Sequence, residues 1–222
     1  MSTISATIQD YLSLIFVLER DREPVVGARL AELLHVTPPT VTNTLKRMVR
    51  DGLITMGKQG AHLTAAGRRS ARTVMRRHML TEWMMVGRLP WSRLHLEAHN
   101  LEHAISAESE KALLEELGHP QTCPHGNPLP GSEAAVETWI PLLNAHEHEK
   151  VTIRRIHELA EQNVELMAFL ESRDVVPGKI AIIREILPFN ETITIEIGNK
   201  TATLSFASAR NVFVDRLPSA SS

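Results

Sequence analysis

Cysteine and aromatic residues are scarce in this chain of 222 residues, and their scarcity excludes several kinds of site. The single cysteine, Cys123, excludes an intramolecular disulfide, a cysteine-based zinc finger and an iron–sulfur cluster within one chain. Aromatic residues make up only 4% of the chain, which disfavours a stacking platform for single-stranded nucleic acid. No stretch approaches the roughly 18 apolar residues that span a bilayer, and residues 1–5 lack the basic start of a secretory signal. We therefore expect a cytoplasmic globular protein without a membrane partner.

Charge is divided unevenly along the chain, although the net charge is only −2. Residues 1–80 hold 12 Lys and Arg against 6 Asp and Glu, a net +6, whereas residues 81–222 carry a net −8. The excess is steepest between residues 37 and 80, where nine basic residues face Asp51 alone. A basic block joined to an acidic remainder indicates a head that binds a polyanion. Charge alone leaves a solvated, arginine-rich helix face as an equal alternative.

The first ninety residues have the element order of a winged helix-turn-helix. Helical periodicity predicts helices over residues 5–19 and 26–34. Thr37, followed by Pro38 and Pro39, is a typical start for a third helix, which stops at residues 51–52. Strands over residues 53–56 and 61–64 flank a glycine-bounded turn at 57–60 and form the predicted wing.

The predicted third helix presents small polar side chains, with basic side chains behind them. Hydroxyl and amide groups suit base edges in a major groove, and arginines suit phosphates. The residues predicted to contact DNA are Thr37, Pro39, Thr40, Asn43, Lys46, Arg47 and Arg50. The alternatives are a winged helix used only for protein contacts and a solvated helix. The local charge of +8 favours double-stranded DNA.

Histidine is frequent, with 11 residues, and several histidines stand at helical spacing from glutamates. Predicted helices over residues 64–86 and 92–105 each present such an edge. The residues are His78, Glu82, His95, His99, Glu102 and His103. Imidazole and carboxylate together suit Mn, Fe, Co, Ni and Zn, so each helix offers half of a metal site. Spacing alone equally allows surface ion pairs.

The remainder of the chain changes from helical to strand-like patterns. A further helix is predicted over residues 107–117, an irregular Pro- and Gly-rich stretch over 123–131 and a linker over 132–149. Cys123 and His125 in that stretch suggest a metal pair, but a lone cysteine in a turn is more often inert. After residue 150, five short strands with a helix over 160–171 predict a small barrel.

Several segments together resemble the diphtheria-toxin-repressor family of metal-dependent transcriptional repressors, including its manganese-transport-regulator branch. The resemblance is close over about residues 7–131. Its segments are residues 7–12, 36–42, 76–82, 95–106 and 124–131. Glu102-His103 and the Gly-Asn-Pro-Leu-Pro-Gly run at 126–131 are specific features, whereas the helix-turn-helix alone is not.

This resemblance implies a mainly α protein with a β module. Its parts are an N-terminal winged helix-turn-helix, a helical dimerisation domain and a C-terminal SH3-like, FeoA-like small β-barrel. We place the DNA-binding domain at residues 1–72, the metal-binding and dimerisation domain at 73–140, a linker at 141–149 and the SH3-like domain at 150–218.

The resemblance also implies two metal sites between the N-terminal helix and the dimerisation helices. Carried over by position, the first comprises Asp10, His99, Glu102 and His103. The second comprises His78, Glu82 and His95, completed from the C-terminal module. The module's helix offers Glu161, Gln162 and Glu165, of which we choose Gln162 and Glu165 with an alignment that is loose by one residue.

The first site departs from both common patterns of the family. Iron-responsive members usually have Met at the position of Asp10 and Cys at the position of His99. Manganese-responsive members usually have Asp and a carboxylate there, with an extra Glu where this chain has Ser13. A carboxylate at Asp10 is a hard ligand, so we favour Mn(II) over Fe(II). Zn(II), Co(II) and Cd(II) are expected to substitute in vitro.

The expected function is a homodimeric repressor that binds operator DNA when loaded with metal and controls genes for metal uptake. The alternatives are an Fe(II)-dependent repressor of the same family, a winged-helix regulator gated by an organic ligand, and a metalloenzyme. An enzyme is disfavoured because the sequence has no HExxH, nucleophile or phosphate-loop motif. We therefore expect no small organic substrate.

Overall fold

A computed structural model describes residues 4–58 and 60–217 of the chain. Residues 1–3 and 218–222, at the outer ends of the predicted first and last domains, lie outside the described residues, as does Gln59 in the predicted wing turn. The described chain forms two compact units. The first contains residues 4–78 and 102–110, and the second contains residues 79–101 and 111–217.

The first unit contains the predicted winged helix-turn-helix, whose element order is confirmed. Its elements are α1 (Ala6–Arg20), α2 (Gly27–Leu33), α3 (Pro38–Arg50), the strands β1 (Ile54–Gly57) and β2 (Gly60–Leu63), and most of α4 (Ala65–Met85). Apolar residues of α1 recur at helical spacing, so Leu12, Ile15 and Leu18 are fully buried. At the start of α3, the Thr37 side chain accepts a hydrogen bond from the backbone N–H of Thr40.

The wing packs against the backbone just before α2 at Gly60, a position where only glycine fits. Strands β1 and β2 pair antiparallel, with Ile54 opposite Leu63 and Gly57 opposite Gly60. Gly60 has φ +113°, and a Cβ atom there would lie 2.1 Å from the carbonyl oxygen of Val25. The close backbone approach therefore holds the hairpin in place.

The helix predicted over residues 92–105 is wrong as a single element. It consists of a 3₁₀ turn (Trp91–Arg93), α5 (Leu94–Leu101) and a second 3₁₀ turn (Glu102–Ala104), and α6 (Ala107–Glu116) follows. A 3₁₀ turn has about 3.0 residues per turn instead of about 3.6, so Glu102 and His103 leave the α-helical spacing.

The second unit contains an antiparallel sheet of six described strands, β3 (Ile140–Pro141), β4 (Lys150–Ile156), β5 (Ile180–Leu187), β6 (Thr192–Ile197), β7 (Lys200–Ser205) and β8 (Val212–Arg216). Their spatial order is β3-β8-β4-β5-β6-β7. Register shifts between Ile153 and Arg155 and between Ile183 and Glu185 mark bulges, which bend the strands of this SH3-like domain. Short helices α7 (Glu158–Glu161), α8 (Val164–Ser172) and α9 (Phe206–Ala209) accompany the sheet.

Two predictions about this unit are wrong. The linker predicted over 141–149 belongs to the sheet domain, because β3 pairs with β8 and both Leu142 and Ala145 are buried in the domain core. The helix predicted over 160–171 is broken into α7 and α8. The break occurs because Asn163 caps α8, its side chain accepting a hydrogen bond from the N–H of Leu166 over 3.0 Å. Among the described residues, no helix is long and apolar enough to cross a membrane.

Candidate metal centres

In the first unit, the side chains of Asp10, Glu102 and His103 lie together and form what we call the first cluster. Asp10 lies in the first turns of α1, and the other two lie in the 3₁₀ turn 102–104. Nε2 of His103 is 3.1 Å from Oδ1 of Asp10 and 3.6 Å from Oε1 of Glu102. Glu102 is buried, whereas Asp10 and His103 are half-buried, so an ion could enter from solvent. The structure therefore brings Asp10, Glu102 and His103, all predicted for the first site, close to one another.

Two further side chains hold the ligand groups of the first cluster. Oε1 of Gln9 lies 2.8 Å from Nδ1 of His103. Nδ1 of His78 makes a short contact with Oε2 of Glu102 inside the protein. The sequence predicts His78 for the second site. Its contact with Glu102 of the first cluster is therefore a finding that helical spacing did not indicate.

His99, the remaining residue predicted for the first site, lies on an exposed part of α5 in the second unit. It precedes Glu102 by three residues, which is close to one helical turn.

In the second unit, Glu82, His95, His125 and Glu161 form what we call the second cluster. Nδ1 of His95 lies 2.8 Å from Oε2 of Glu161 and 3.6 Å from Oε1 of Glu82. Nδ1 of His125 lies 3.2 Å from the same Glu82 oxygen and 3.6 Å from the same Glu161 oxygen. Each carboxylate oxygen therefore faces both imidazoles, and the four ligand atoms form a closed ring.

These spacings suit a divalent ion. Ligand atoms about 2.1 Å from a metal lie about 3.0 Å apart when they subtend a right angle. The four distances in the second cluster bracket that value, and they join two carboxylates and two imidazoles. The side chains of Glu82 and Glu161 are each only 1% exposed, so these two buried carboxylates require positive charge nearby.

His125 supplies positive charge when the second cluster holds no ion. Burial alone would lower the pKa of His125, but the carboxylates of Glu161 and Glu82 raise it to about 9. Its Nε2 lies 3.0 Å from the carbonyl oxygen of Trp91 and donates to it, which leaves Nδ1 on the side of the carboxylates. A bound ion would take over the role of this proton.

Cys123 lies beside the second cluster, with its Sγ, a nitrogen of His125 and a carboxylate oxygen of Glu82 within 4.8 Å of one another. Burial, together with Glu82, Glu161 and Glu158, raises the pKa of the Cys123 thiol well above its usual value. Without a metal this thiol stays protonated and unreactive.

The structure does not bring Gln162 or Glu165 to the second cluster. Gln162 follows α7 as its C-cap, Glu165 lies in the first turn of α8, and both are exposed. The C-terminal module contributes Glu161 instead, one residue earlier. The sequence offers Glu161 beside Gln162 and Glu165 without a signal that favours it, and His125 stands in an irregular stretch where its spacing predicts no partner.

The residues predicted to contact DNA lie along the exposed side of α3. Thr37, Pro39, Thr40, Asn43, Lys46, Arg47 and Arg50 are all exposed. Arg50 Nε lies 3.1 Å and Arg47 Nε 3.7 Å from Asp51, so both guanidinium groups are held by surface ion pairs. Such pairs contribute little stability and can be exchanged for phosphate contacts.

Family models match the chain along most of its length. The N-terminal DNA-binding domain of iron-dependent repressors matches residues 3–61, and their metal-binding and dimerisation domain matches residues 64–131. The FeoA domain matches residues 140–216.

Individual proteins resemble the chain over its full length. It is 33% identical over 231 residues to the iron-dependent repressor IdeR of Mycobacterium leprae. This match covers 98% of the present chain and 100% of that protein. It is 31% identical over 230 residues to the diphtheria toxin repressor of Corynebacterium diphtheriae, again covering 98% and 100%. A solved structure of a manganese-dependent transcriptional repressor in complex with manganese has a TM-score of 0.83 and 27% identity, covering 95% of this chain and 100% of that chain. Of these three names, one states iron and one states manganese.

Proposed function

The chain belongs to the diphtheria-toxin-repressor family of metal-dependent transcriptional repressors, and on that premise we propose that it is activated by Mn(II). Loaded with Mn(II), it binds double-stranded operator DNA as a homodimer and represses genes for metal uptake. Because its homologues are repressors and not enzymes, the ion acts as a switch for binding and performs no chemistry on a substrate.

The observation that carries the choice of Mn(II) is the pairing of Asp10 with His103. The carboxylate oxygen stands 3.1 Å from the imidazole nitrogen, a separation that suits two neighbouring ligands of one ion. With Glu102, they offer two oxygen ligands and one nitrogen ligand, a set that favours Mn(II) over softer ions. We propose that His99, about one turn before Glu102, completes this first site.

For the second site we propose Glu82, His95, His125 and Glu161 as ligands, with Glu161 in place of Gln162 and Glu165. His78, also predicted for the second site, stays a prediction there, and its Nδ1 contacts the carboxylate of Glu102. This second ion would join α4, α5, α7 and the Pro- and Gly-rich stretch within the sheet-bearing unit.

Activation follows from the position of the first cluster. Asp10 belongs to α1, which packs within the DNA-binding head, whereas Glu102 and His103 belong to the turn that follows α5. A bound ion supplies positive charge that holds these carboxylates and the imidazole together. Ion binding therefore shifts the equilibrium towards the arrangement of the head that fits DNA. The size of the shift is set by the difference between the ion's affinities for the two arrangements.

Metal-dependent DNA binding tests this function. We would measure binding of the purified protein to its own promoter fragment under anaerobic conditions, in a series of Mn(II), Fe(II) and Zn(II) with a chelator control. Binding stimulated by Mn(II), and abolished by Glu102→Ala or His103→Ala while the dimer persists, is expected. Metal-independent binding, or a normal metal response in both variants, would overturn the proposal.

Fe(II) is the second candidate ion. It is favoured by the similarity to a relative named as an iron-dependent repressor and by His99, since imidazole is a borderline ligand. The same metal series decides between the two ions.

A further inference from the structure

Gln9 and Asp10, consecutive residues of α1, contact the two nitrogens of the same imidazole. Nδ1 of His103 lies 2.8 Å from Oε1 of Gln9, and Nε2 lies 3.1 Å from Oδ1 of Asp10. The proposed ligand set contains Asp10 and His103 but leaves Gln9 without a role.

The amide of Gln9 can be oriented in only one way. Its other end, Nε2, lies 2.9 Å from the carbonyl oxygen of Ile4, just before α1. A carbonyl oxygen only accepts hydrogen bonds, so the NH₂ end of the amide must face Ile4 and the oxygen must face His103. The reversed amide would place its oxygen against the carbonyl oxygen of Ile4, and no hydrogen bond could form there.

This orientation determines where the imidazole proton lies. The amide oxygen of Gln9 only accepts, so Nδ1 of His103 must carry the hydrogen and donate it. In the neutral ring, Nε2 then holds the lone pair, and that lone pair faces the carboxylate of Asp10. Two electron-pair donors at this separation form a ready pair of ligands for a cation.

We propose that Gln9 is a positioning residue of the first metal site, which fixes the His103 tautomer that presents Nε2 to the ion. The inference rests on the proposed function, because it assumes that Asp10, Glu102 and His103 bind a divalent ion. Histidine ligands of metals usually donate their second N–H to such an acceptor, and losing that acceptor lowers metal affinity about 10- to 100-fold. The bond to Ile4 also ties the position of the imidazole to the backbone just before α1.

The variants Gln9→Met and Gln9→Glu test this inference. Methionine keeps a similar length but offers no amide acceptor, whereas glutamate keeps an oxygen at the same position. We expect Gln9→Met to weaken Zn(II) binding at the first cluster about 10- to 100-fold and Gln9→Glu to restore it. Gln162→Met, at an exposed glutamine outside the first cluster, is the matched control and should bind Zn(II) normally at the first cluster.

The ring tautomer supplies a readout that a general loss of packing would not change. With ¹⁵N-labelled histidine and Zn(II) as the ion, the His103 resonances, identified by their loss in His103→Asn, should show a protonated Nδ1 and a metal-bound Nε2. This measurement uses the wild-type chain, so it can refute the inference even if Gln9→Met fails to fold. Binding through Nδ1, or wild-type affinity and tautomer in a folded Gln9→Met, would overturn the role of Gln9.

Failure of the proposed function has a different signature. If His103→Asn binds as many Zn(II) equivalents as the wild type, the first cluster is not a metal site, and both proposals fall together. If His103→Asn loses one equivalent while Gln9→Met is unaffected, the metal site stands and only the role of Gln9 is refuted.

Discussion

The carboxylate of Glu171 caps the helical segment that begins at Trp91, although the two residues are eighty positions apart in the chain. The backbone N–H of Trp91 donates to Glu171 over 2.9 Å, and that of Ser92 donates over 3.2 Å. Local sequence provides no cap, because the preceding residue is Pro90, which has no side-chain acceptor. The C-terminal sheet domain therefore completes the helix that carries His95.

Replacing Glu171 by Gln should reduce the free energy of unfolding by about 0.5 kcal/mol, the size of the interaction between one charge and a helix N-terminus. The amide retains an acceptor but loses the charge that interacts favourably with a helix N-terminus. Urea denaturation monitored by circular dichroism would measure the difference. Glu165→Gln, an exposed change on the same helix α8, is the control and should leave stability unchanged. Equal stability of all three proteins would mean that the cap contributes nothing.

The same contact predicts how stability depends on pH. Burial by itself raises the pKa of Glu171, but hydrogen bonds from Ser92 and from the N–H of Trp91 outweigh it and hold the pKa below its usual value of 4.5. The unfolded chain therefore binds this proton more readily than the folded chain. The extra stability of the wild type over Glu171→Gln should be complete above about pH 5 and disappear as the pH falls through the lowered pKa. A difference that grows on acidification would contradict the assignment.

The sequence predicted those parts of the fold that short-range signals determine. Thr37 and the two prolines after it mark the start of α3, and glycines bound the wing turn. Strand β3 could not be found in this way, because it has only two residues, Ile140 and Pro141, and exists through pairing with β8. Short strands of this kind carry no periodic pattern of their own.

The residues proposed for the first site could be named from helical spacing and family resemblance, whereas those proposed for the second required tertiary information. Glu161, one residue before Gln162, is the residue of the α7–α8 segment that faces His95 and His125. His125 sits in an irregular stretch, and its role depends on Glu82 and Glu161, which lie far from it in sequence. Periodicity describes contacts along one helix and does not describe contacts of this kind.

Glu161→Gln should remove one equivalent of Zn(II) per chain. Glu161 supplies an oxygen that faces both His95 and His125, and an amide there is a weaker ligand for the ion. Isothermal titration calorimetry of the full chain would count the equivalents, with two expected for the wild type. Gln162→Ala and Glu165→Ala are matched controls that should keep both. Loss of an equivalent in a control but not in Glu161→Gln would contradict the proposal and favour Gln162 or Glu165 as the ligand.

Arg50→Ala should weaken binding to every DNA sequence alike and reduce the salt dependence by about one unit of slope. The Arg50 side chain is 74% exposed, and its Nε lies 3.1 Å from the surface carboxylate of Asp51, so it can turn from that carboxylate to a phosphate. Fluorescence anisotropy over a range of salt, with the promoter fragment and an unrelated duplex, would measure both effects. Arg210→Ala, an exposed arginine of the sheet domain, is the control. An unchanged slope would remove Arg50 from the contacts.

Asp10→Met tests how the first site selects its metal. The carboxylate of Asp10 is a hard ligand that suits Mn(II), whereas a thioether suits softer ions. The change should therefore lower the Mn(II)-stimulated DNA binding more than the Fe(II)-stimulated binding, measured anaerobically on the promoter fragment. Thr7→Met, an exposed change on the same helix α1, controls for the added side chain. Equal losses would mean that Asp10 anchors α1 without selecting the ion, and a greater loss for Fe(II) would overturn the manganese assignment in favour of iron.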